Sequence, residues 1–282
     1  MNFRYGLYPM ALSIVRCMAA DTRELESITV ERTDAGVVTI TLNRPQRKNA
    51  INEAMWNELL AEFHEISGDD QVRCVVITGA DGEFCSGADL SGDRDGPRPH
   101  QLAAMRHVGD VCLALERLPQ PTIAKVRGVA VGAGMNMALV CDLLVADETA
   151  RFSEIFARRG LSIDFGGSWI LPRRVGLHRA KELAFLTDII DAKTAEEIGL
   201  VNHVVPAGDL DAFVDDWASR LAAGPPIALA MTKRLLNNSM HVTLEQALDD
   251  EGLSQTVNFS TADTAEAMAA FLGKRSPNFT GR

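Results

Sequence analysis

The sequence predicts an α/β protein: strand and helix signals alternate to about residue 150, in a core expected to run to roughly 205, and a helical C-terminal region follows. Three observations carry this. Short β-branched runs such as C74-V-V-I-T78 and T122-I-A-K-V126 alternate with segments whose apolar residues recur at helical spacing. Glycine-rich turns, F84-C-S-G-A-D-L90 and G128-V-A-V-G-A-G134, stand between strands and helix starts. From about residue 178 the helical signals dominate, punctuated by Gly224-Pro225-Pro226.

Residues 1–20 are expected to form a flexible extension outside the fold. Their apolar stretch is interrupted by Pro9 and followed by Arg16, too short to span a membrane and a poor signal peptide. Residues 27–33 and 37–42 read as two strands of a hairpin around the D-A-G turn at 34–36. Asn52 is placed to cap a helix whose apolar positions are Met55, Leu59, Phe63 and Ile66. A strand over 74–78 follows, then a Gly-, Pro- and charge-rich loop over 91–100. Next come a helix near 101–117, a strand over 122–126, a helix over 135–140 and a strand over 142–146. Further helices are predicted over 178–185, 195–198, 210–222 and 227–237, with one long helix over 243–272 that Gly252 weakens in the middle. The division expected is therefore an extension (1–20), a core (21–205) and a helical region (206–282). An apolar stripe of Leu244, Leu248, Leu253, Val257, Met268 and Phe271 suits that last region either to self-association or to packing on its own core.

The 282 residues are 46% hydrophobic and 23% charged, an ordinary globular balance. A formal net charge of −10 argues against nucleic acid or an anionic membrane as partner. A polyanionic ligand would have to be held by local basic clusters. The five cysteines (Cys17, Cys74, Cys85, Cys112, Cys141) form neither a CxxC pattern nor a disulfide framework. No metal site is expected, and a reducing cytoplasm fits best.

Both glycine turns lead from a strand into a helix start, where the first N–H groups are unpaired. G-A-G at 132–134 is not a dinucleotide fingerprint, because the third glycine of GxGxxG would fall at Met137. Two readings remain: tight turns without a ligand, or one N–H from each turn converging on one oxygen as an oxyanion hole.

Together L-N-R-P (42–45), F-C-S-G-A-D-L, G-V-A-V-G-A-G with C-D-L-L-V-A-D, and F-G-G-S-W-I-L-P-R resemble the enoyl-CoA hydratase/isomerase (crotonase) superfamily. The resemblance runs from about Ile28 to the terminal F-L-G-K-R-S-P-N-F-T-G-R. It implies a spiral of repeated ββα units, C-terminal helices that mediate trimerisation or a dimer of trimers, and an acyl-CoA thioester as ligand. Coenzyme A would be part of the substrate, with no separate cofactor. By the same resemblance the main-chain N–H groups of Ala88 and Ala133 form the oxyanion hole. The coenzyme A moiety would be bound by Gln46, Arg47 and Lys48, by Asp89 and Leu90, and by Phe271 and Lys274 of the terminal helix, often from a neighbouring subunit. Gly132 and Phe156 would also face the ligand.

The pattern departs from the hydratases of that family, which hold a water with two glutamates. Asn136 stands at the first glutamate position and Phe156 at the second. Glu154 lies two residues early and is expected to point elsewhere. Asp164, in G-L-S-I-D-F-G-G-S-W, matches an aspartate found in isomerases of the superfamily. The ring-epoxide (1,2-epoxyphenylacetyl-CoA) isomerase group also resembles this chain in its G-G-[ST]-W-x-L-P-R run and K-R-S-P-x-F-T-G ending. The resemblance thus implies a single base, Asp164, whose proton affinity Phe165 and Phe156 would raise by burial. The bland alternative is a helix cap. For Asn136 the alternatives are a bond to the aspartate or substrate, or satisfaction of a backbone group inside the helix. Leu102, Met105 and Trp169 are candidates for the acyl wall or for core packing. Three activities follow as hypotheses: an acyl-CoA isomerase, an enoyl-CoA hydratase using Asp164 or Glu154, and a non-catalytic acyl-CoA-binding protein.

Overall fold

The hairpin turns at Gly36, whose φ of +80° and closeness to the Gln71 carbonyl leave no room for a Cβ. A computed structural model describes residues 21–91 and 100–282; the predicted extension 1–20 and most of the 91–100 loop lie outside the described residues. On either side of the turn, β2 (Ile28–Arg32) and β3 (Val37–Leu42) pair antiparallel, and β1 (Asp21–Glu24) adds to the edge. Beyond β3 the pairing becomes parallel through β4 (Cys74–Gly79), β5 (Thr122–Val126), β7 (Leu143–Asp147) and β10 (His203–Val205). A second, three-stranded sheet holds β6 (Val129–Val131), β8 (Arg151–Ser153) and β9 (Ile190–Asp191).

The run C-V-V-I at the start of β4 has no polar alternation because both faces of the parallel sheet are covered. Val75 and Ile77 face the main core between the sheets and helices. Cys74 and Val76 face Leu210, Val214 and Ala218 of α6 (Leu210–Ala222) on the outer side. Asn52 caps α1 (Glu53–Ser67) by accepting from the Met55 N–H, and Met55, Leu59, Phe63 and Ile66 are fully buried, as predicted. α2 (Gln101–Glu116) packs on α1, and α3 (Ala133–Val140) is buried on every side from Ala133 to Leu139. Such an all-round apolar helix belongs inside a fold. α4 (Gly167–Leu186) is interrupted at Gly176, and α5 (Ala192–Glu197) follows. α7 (Pro226–Asn238), α8 (Leu244–Phe259) and α9 (Ala262–Leu272) pack mainly on one another.

The expected helix over 243–272 is two helices. Gly252 does not break it. The break comes where the Ser260 and Thr261 N–H groups take the Val257 and Asn258 carbonyls and the Thr261 side chain caps α9 by accepting from the Thr264 N–H. α4 begins eleven residues before the predicted 178. The strands of the second sheet are two or three residues long, too short to carry a periodic signal. With its mostly parallel main sheet and nine helices among the described residues, the chain has the expected α/β fold class.

Candidate active site

The two glycine turns lie side by side. After β4, Phe84 and Cys85 run along β6: Phe84 N–H donates to the Arg127 carbonyl at 2.8 Å, and Val131 N–H donates to the Cys85 carbonyl at 2.9 Å. Gly87 then takes φ +95°, and a Cβ there would stand 2.9 Å from the Val131 carbonyl and 3.7 Å from the Ala133 nitrogen. Ile51 N–H donates to the Gly87 carbonyl and Asp89 N–H to the Ile51 carbonyl, so the chain is pinned on both sides of Ala88. In the second turn Gly132 adopts φ 55°, ψ −126°, a region closed to residues with a Cβ. Its N–H donates to the Ser153 carbonyl. Ala133 is the first residue of α3, so its N–H has no partner within the helix. Among the described residues neither the Ala88 nor the Ala133 N–H donates to a protein acceptor outside regular structure.

Asn136 lies one turn along α3 from Ala133 and is fully buried. Its Nδ2 donates to the main-chain carbonyl of Asp164 at 2.9 Å and reaches Glu154 Oε2 at 3.4 Å. Of the alternatives raised for Asn136 the bond is to the aspartate, through its main-chain carbonyl, and not to a backbone group of its own helix. The Asp164 side chain does not cap α4, whose N-cap is Gly166 with no side-chain bond. Its Oδ1 is buried without a protein partner, and burial pushes its carboxyl up to about 6. The following Phe165 has φ +46° and stacks on Trp56 at 5.4 Å, anchoring the loop in the core.

Glu154 departs from expectation. It does not point elsewhere. Residues after β8 turn into a short 3-10 segment, Ile155–Arg159, and its N-cap residue Glu154 is carried inward against α3 with none of its surface exposed. Burial, reinforced by the Asp164 charge and eased by the Asn136 contact, pushes its carboxyl up to about 8. Phe156, at the position where the hydratases have glutamate, is buried with its ring 3.6 Å from where a Gly132 Cβ would be. The only advance signal for Glu154 was its presence near the Phe156 position. Gly167 is a further supporting position, since a Cβ there would lie 2.4–2.6 Å from the Asn136 amide.

The other predicted ligand residues divide into two groups. Gln46, Arg47 and Lys48 are exposed beside the first turn: the Lys48 carbonyl accepts from Ser86 N–H and the Arg47 carbonyl from the Ser86 hydroxyl. Lys48 Nζ pairs with Glu83 at 2.8 Å. Asp89 pairs with Arg44 at 2.9 Å, and its carboxyl is held down near 2 by bonds from Ser91 and that guanidinium. Leu90 is exposed. Phe271 and Lys274, by contrast, lie at the exposed end of α9, and no hydrogen bond or ion pair among the described residues ties them to the turns. Trp169 lines a cavity of about 500 Å³ with Cys112, Val140, Gly166 and Met240, of which Asp164 is not a lining residue. Leu102 and Met105 are exposed on the first half of α2 and do not line it. Among the described residues no cluster of His, Cys, Asp or Glu could hold a metal ion, and no helix is long and apolar enough to cross a membrane.

Comparison with known proteins assigns the chain to a family. The family described as Enoyl-CoA hydratase/isomerase matches residues 32–282. A 1,2-epoxyphenylacetyl-CoA isomerase of Escherichia coli is 38% identical over 253 residues, covering 88% of this chain and 97% of that protein. A short-chain-enoyl-CoA hydratase of Clostridium acetobutylicum is 34% identical over 89% of this chain and 97% of that protein. Among solved structures, an enoyl-CoA hydratase from Bacillus anthracis superposes with a TM-score of 0.87 at 34% identity, covering 91% of this chain and 100% of that one. With paired glycine turns at the N-terminus of a buried helix and a match along nearly the whole described chain, the protein belongs to the enoyl-CoA hydratase/isomerase family.

Proposed function

We propose that the protein is an acyl-CoA isomerase that moves a proton, and with it a double bond, along the acyl chain of an enoyl-CoA thioester. Rearrangement of an epoxyacyl-CoA is a variant of the same reading, favoured by the similarity to the Escherichia coli isomerase. The observation that carries the proposal is Asp164: a half-buried carboxyl without a partner on Oδ1, pushed up to about 6, in a loop tied through Asn136 to the helix whose first N–H is free. A base titrating just below neutrality is ionised at pH 7 yet holds a proton well enough to take one from carbon.

Chemically, the thioester oxygen accepts from the Ala88 and Ala133 N–H groups. Asp164 then removes the hydrogen on the carbon beside the carbonyl. The electron pair moves onto that oxygen and over the conjugated dienolate, and Asp164 returns the proton two carbons away. No water enters and no cofactor is consumed; coenzyme A is carried as part of the substrate. Gln46, Arg47 and Lys48 are the proposed contacts for its phosphates, with Leu90 and the main chain of Asp89 alongside. Phe271 and Lys274 join only if another subunit supplies them, which agrees with a homo-oligomer formed through α8 and α9.

Hydration is the second reading, and buried Glu154 favours it, since a second carboxyl could hold a water. The test is incubation of the purified chain with 3-enoyl-CoA and 2-enoyl-CoA, following conjugation absorbance and hydroxyacyl-CoA. Asp164→Asn is expected to lower the double-bond shift on the order of a hundredfold or more. Accumulation of hydroxyacyl-CoA establishes hydration instead, and tight thioester binding without turnover marks a non-catalytic binder.

A further inference from the structure

Glu154 has no part in the reaction above, yet it is a carboxyl with none of its surface exposed, packed against α3 and the loop before α4. On the three residues linked there, Asn136 Oδ1, Glu154 Oε1 and Asp164 Oδ1 are each buried without a protein donor. The side-chain donor among them, Asn136 Nδ2, is spent on the Asp164 carbonyl at 2.9 Å and on Glu154 Oε2 at 3.4 Å. Because a carbonyl only accepts, the first of these bonds fixes which end of the amide is Nδ2. The cluster is therefore short of donors. It would also carry two repelling charges if both acids were ionised. A proton on Glu154 supplies a donor and removes one charge. Asp164 is the less buried of the two acids, which leaves it the one that meets the substrate.

We infer that Glu154 is a positioning residue that stays protonated: its neutral carboxyl steadies the Asn136 amide, Asn136 holds the main chain of Asp164, and the pocket keeps one carboxylate instead of two. The inference rests on the isomerase reading, in which Asp164 is the base. Facing Glu154, α3 offers the neutral Asn136 and the loop before α4 offers Asp164; Arg158 of its own segment is turned to Thr187 and Asp188. The Cys112 thiol, pushed up to about 11 by burial and by the charges of Glu116 and Asp164, is the other titratable group that feels Asp164. Activity should therefore rise as Asp164 ionises near pH 6 and fall as Glu154 loses its proton near pH 8, the two titrating as a coupled pair.

The test is the pH dependence of kcat and KM for 3-hexenoyl-CoA with wild type, Glu154→Leu and Glu154→Gln, together with the infrared carbonyl band of the substrate-free protein at pH 7. Glu154→Leu is expected to lower kcat on the order of tenfold with little change in KM, since Asp164 is displaced while binding remains. Glu154→Gln, which keeps the neutral shape, should recover most of that loss and abolish the alkaline fall. Wild type should show a protonated-carboxyl band that Glu154→Gln lacks. Glu154→Gln as slow as Glu154→Leu, Glu154→Leu as fast as wild type, or absence of the infrared band each overturns the inference. If Asp164→Asn still shifts the double bond, the isomerase reading fails, while the infrared band, read without substrate, still decides the state of Glu154.

Discussion

At Glu154 the side chain's environment has a consequence for stability as well as for chemistry. Its ordinary value is 4.5, and burial raises it to about 8 in the folded chain. Between those values the unfolded chain releases the proton and the folded chain keeps it. The stability present below about pH 4.5 is therefore lost as pH rises towards 8. Thermal melts at pH 5 and pH 8 should show Glu154→Gln gaining on wild type as pH rises; a constant difference would mean that the carboxyl does not change charge in this range. Gly132 makes the complementary case for the backbone. Its φ of 55° and ψ of −126° are strained for any other residue, although a Cβ would meet nothing nearer than 3.6 Å. Gly132→Ala is thus expected to cost roughly 1–3 kcal/mol through conformation alone. Chemical denaturation measures it, and the Ala133 N–H should turn away with an accompanying loss of kcat.

Among the elements, the site depends on how closely α3 approaches the strand segment before the first turn. Gly134 allows this approach: a Cβ there would lie 2.5 Å from the Cys85 carbonyl oxygen and 2.7 Å from its Sγ. The obstacle is main chain, which cannot rotate aside. Gly134→Ala should cost about 1–3 kcal/mol by overpacking. It should also move the start of α3, so that kcat falls more than binding weakens, as parallel unfolding and steady-state measurements would reveal. The glycine motif itself was plain in the sequence. Its close contact with Cys85 was not, because the partner lies nearly fifty positions upstream. The 3-10 turn Ile155–Arg159 was equally hidden, and with it the contact of Glu154 with Asn136. Strand alternation from buried Phe152 puts Glu154 on the same face, but single-sequence periodicity does not say which groups that face brings beside it.

For the molecule as a whole, α8 and α9 leave much apolar surface uncovered. Leu244, Leu248, Leu253, Phe259, Met268, Phe271 and Leu272 are all more than half exposed. Apolar exposure of this kind is what the proposed self-association would cover. The proposed self-association predicts that Leu248→Asp combined with Met268→Asp lowers the sedimentation mass, leaving α1 and the sheets folded by circular dichroism. An unchanged mass would remove these helices as the interface. Such an assembly is also what the coenzyme A contacts proposed for Phe271 and Lys274 require.

The sequence by itself determined the hairpin at Gly36, the Asn52-capped helix, the two glycine turns and the family, because each depends on residues near one another in the chain. It also singled out Asp164, whose apolar neighbours are adjacent in order. Tertiary structure alone decided that Asn136 holds the Asp164 main chain, that Glu154 joins them, and that Gly167 clears the space for that amide. These contacts span up to thirty-one positions, and what selects them is burial: inside the core each polar group must find a partner or a proton, and no local pattern records which one it finds.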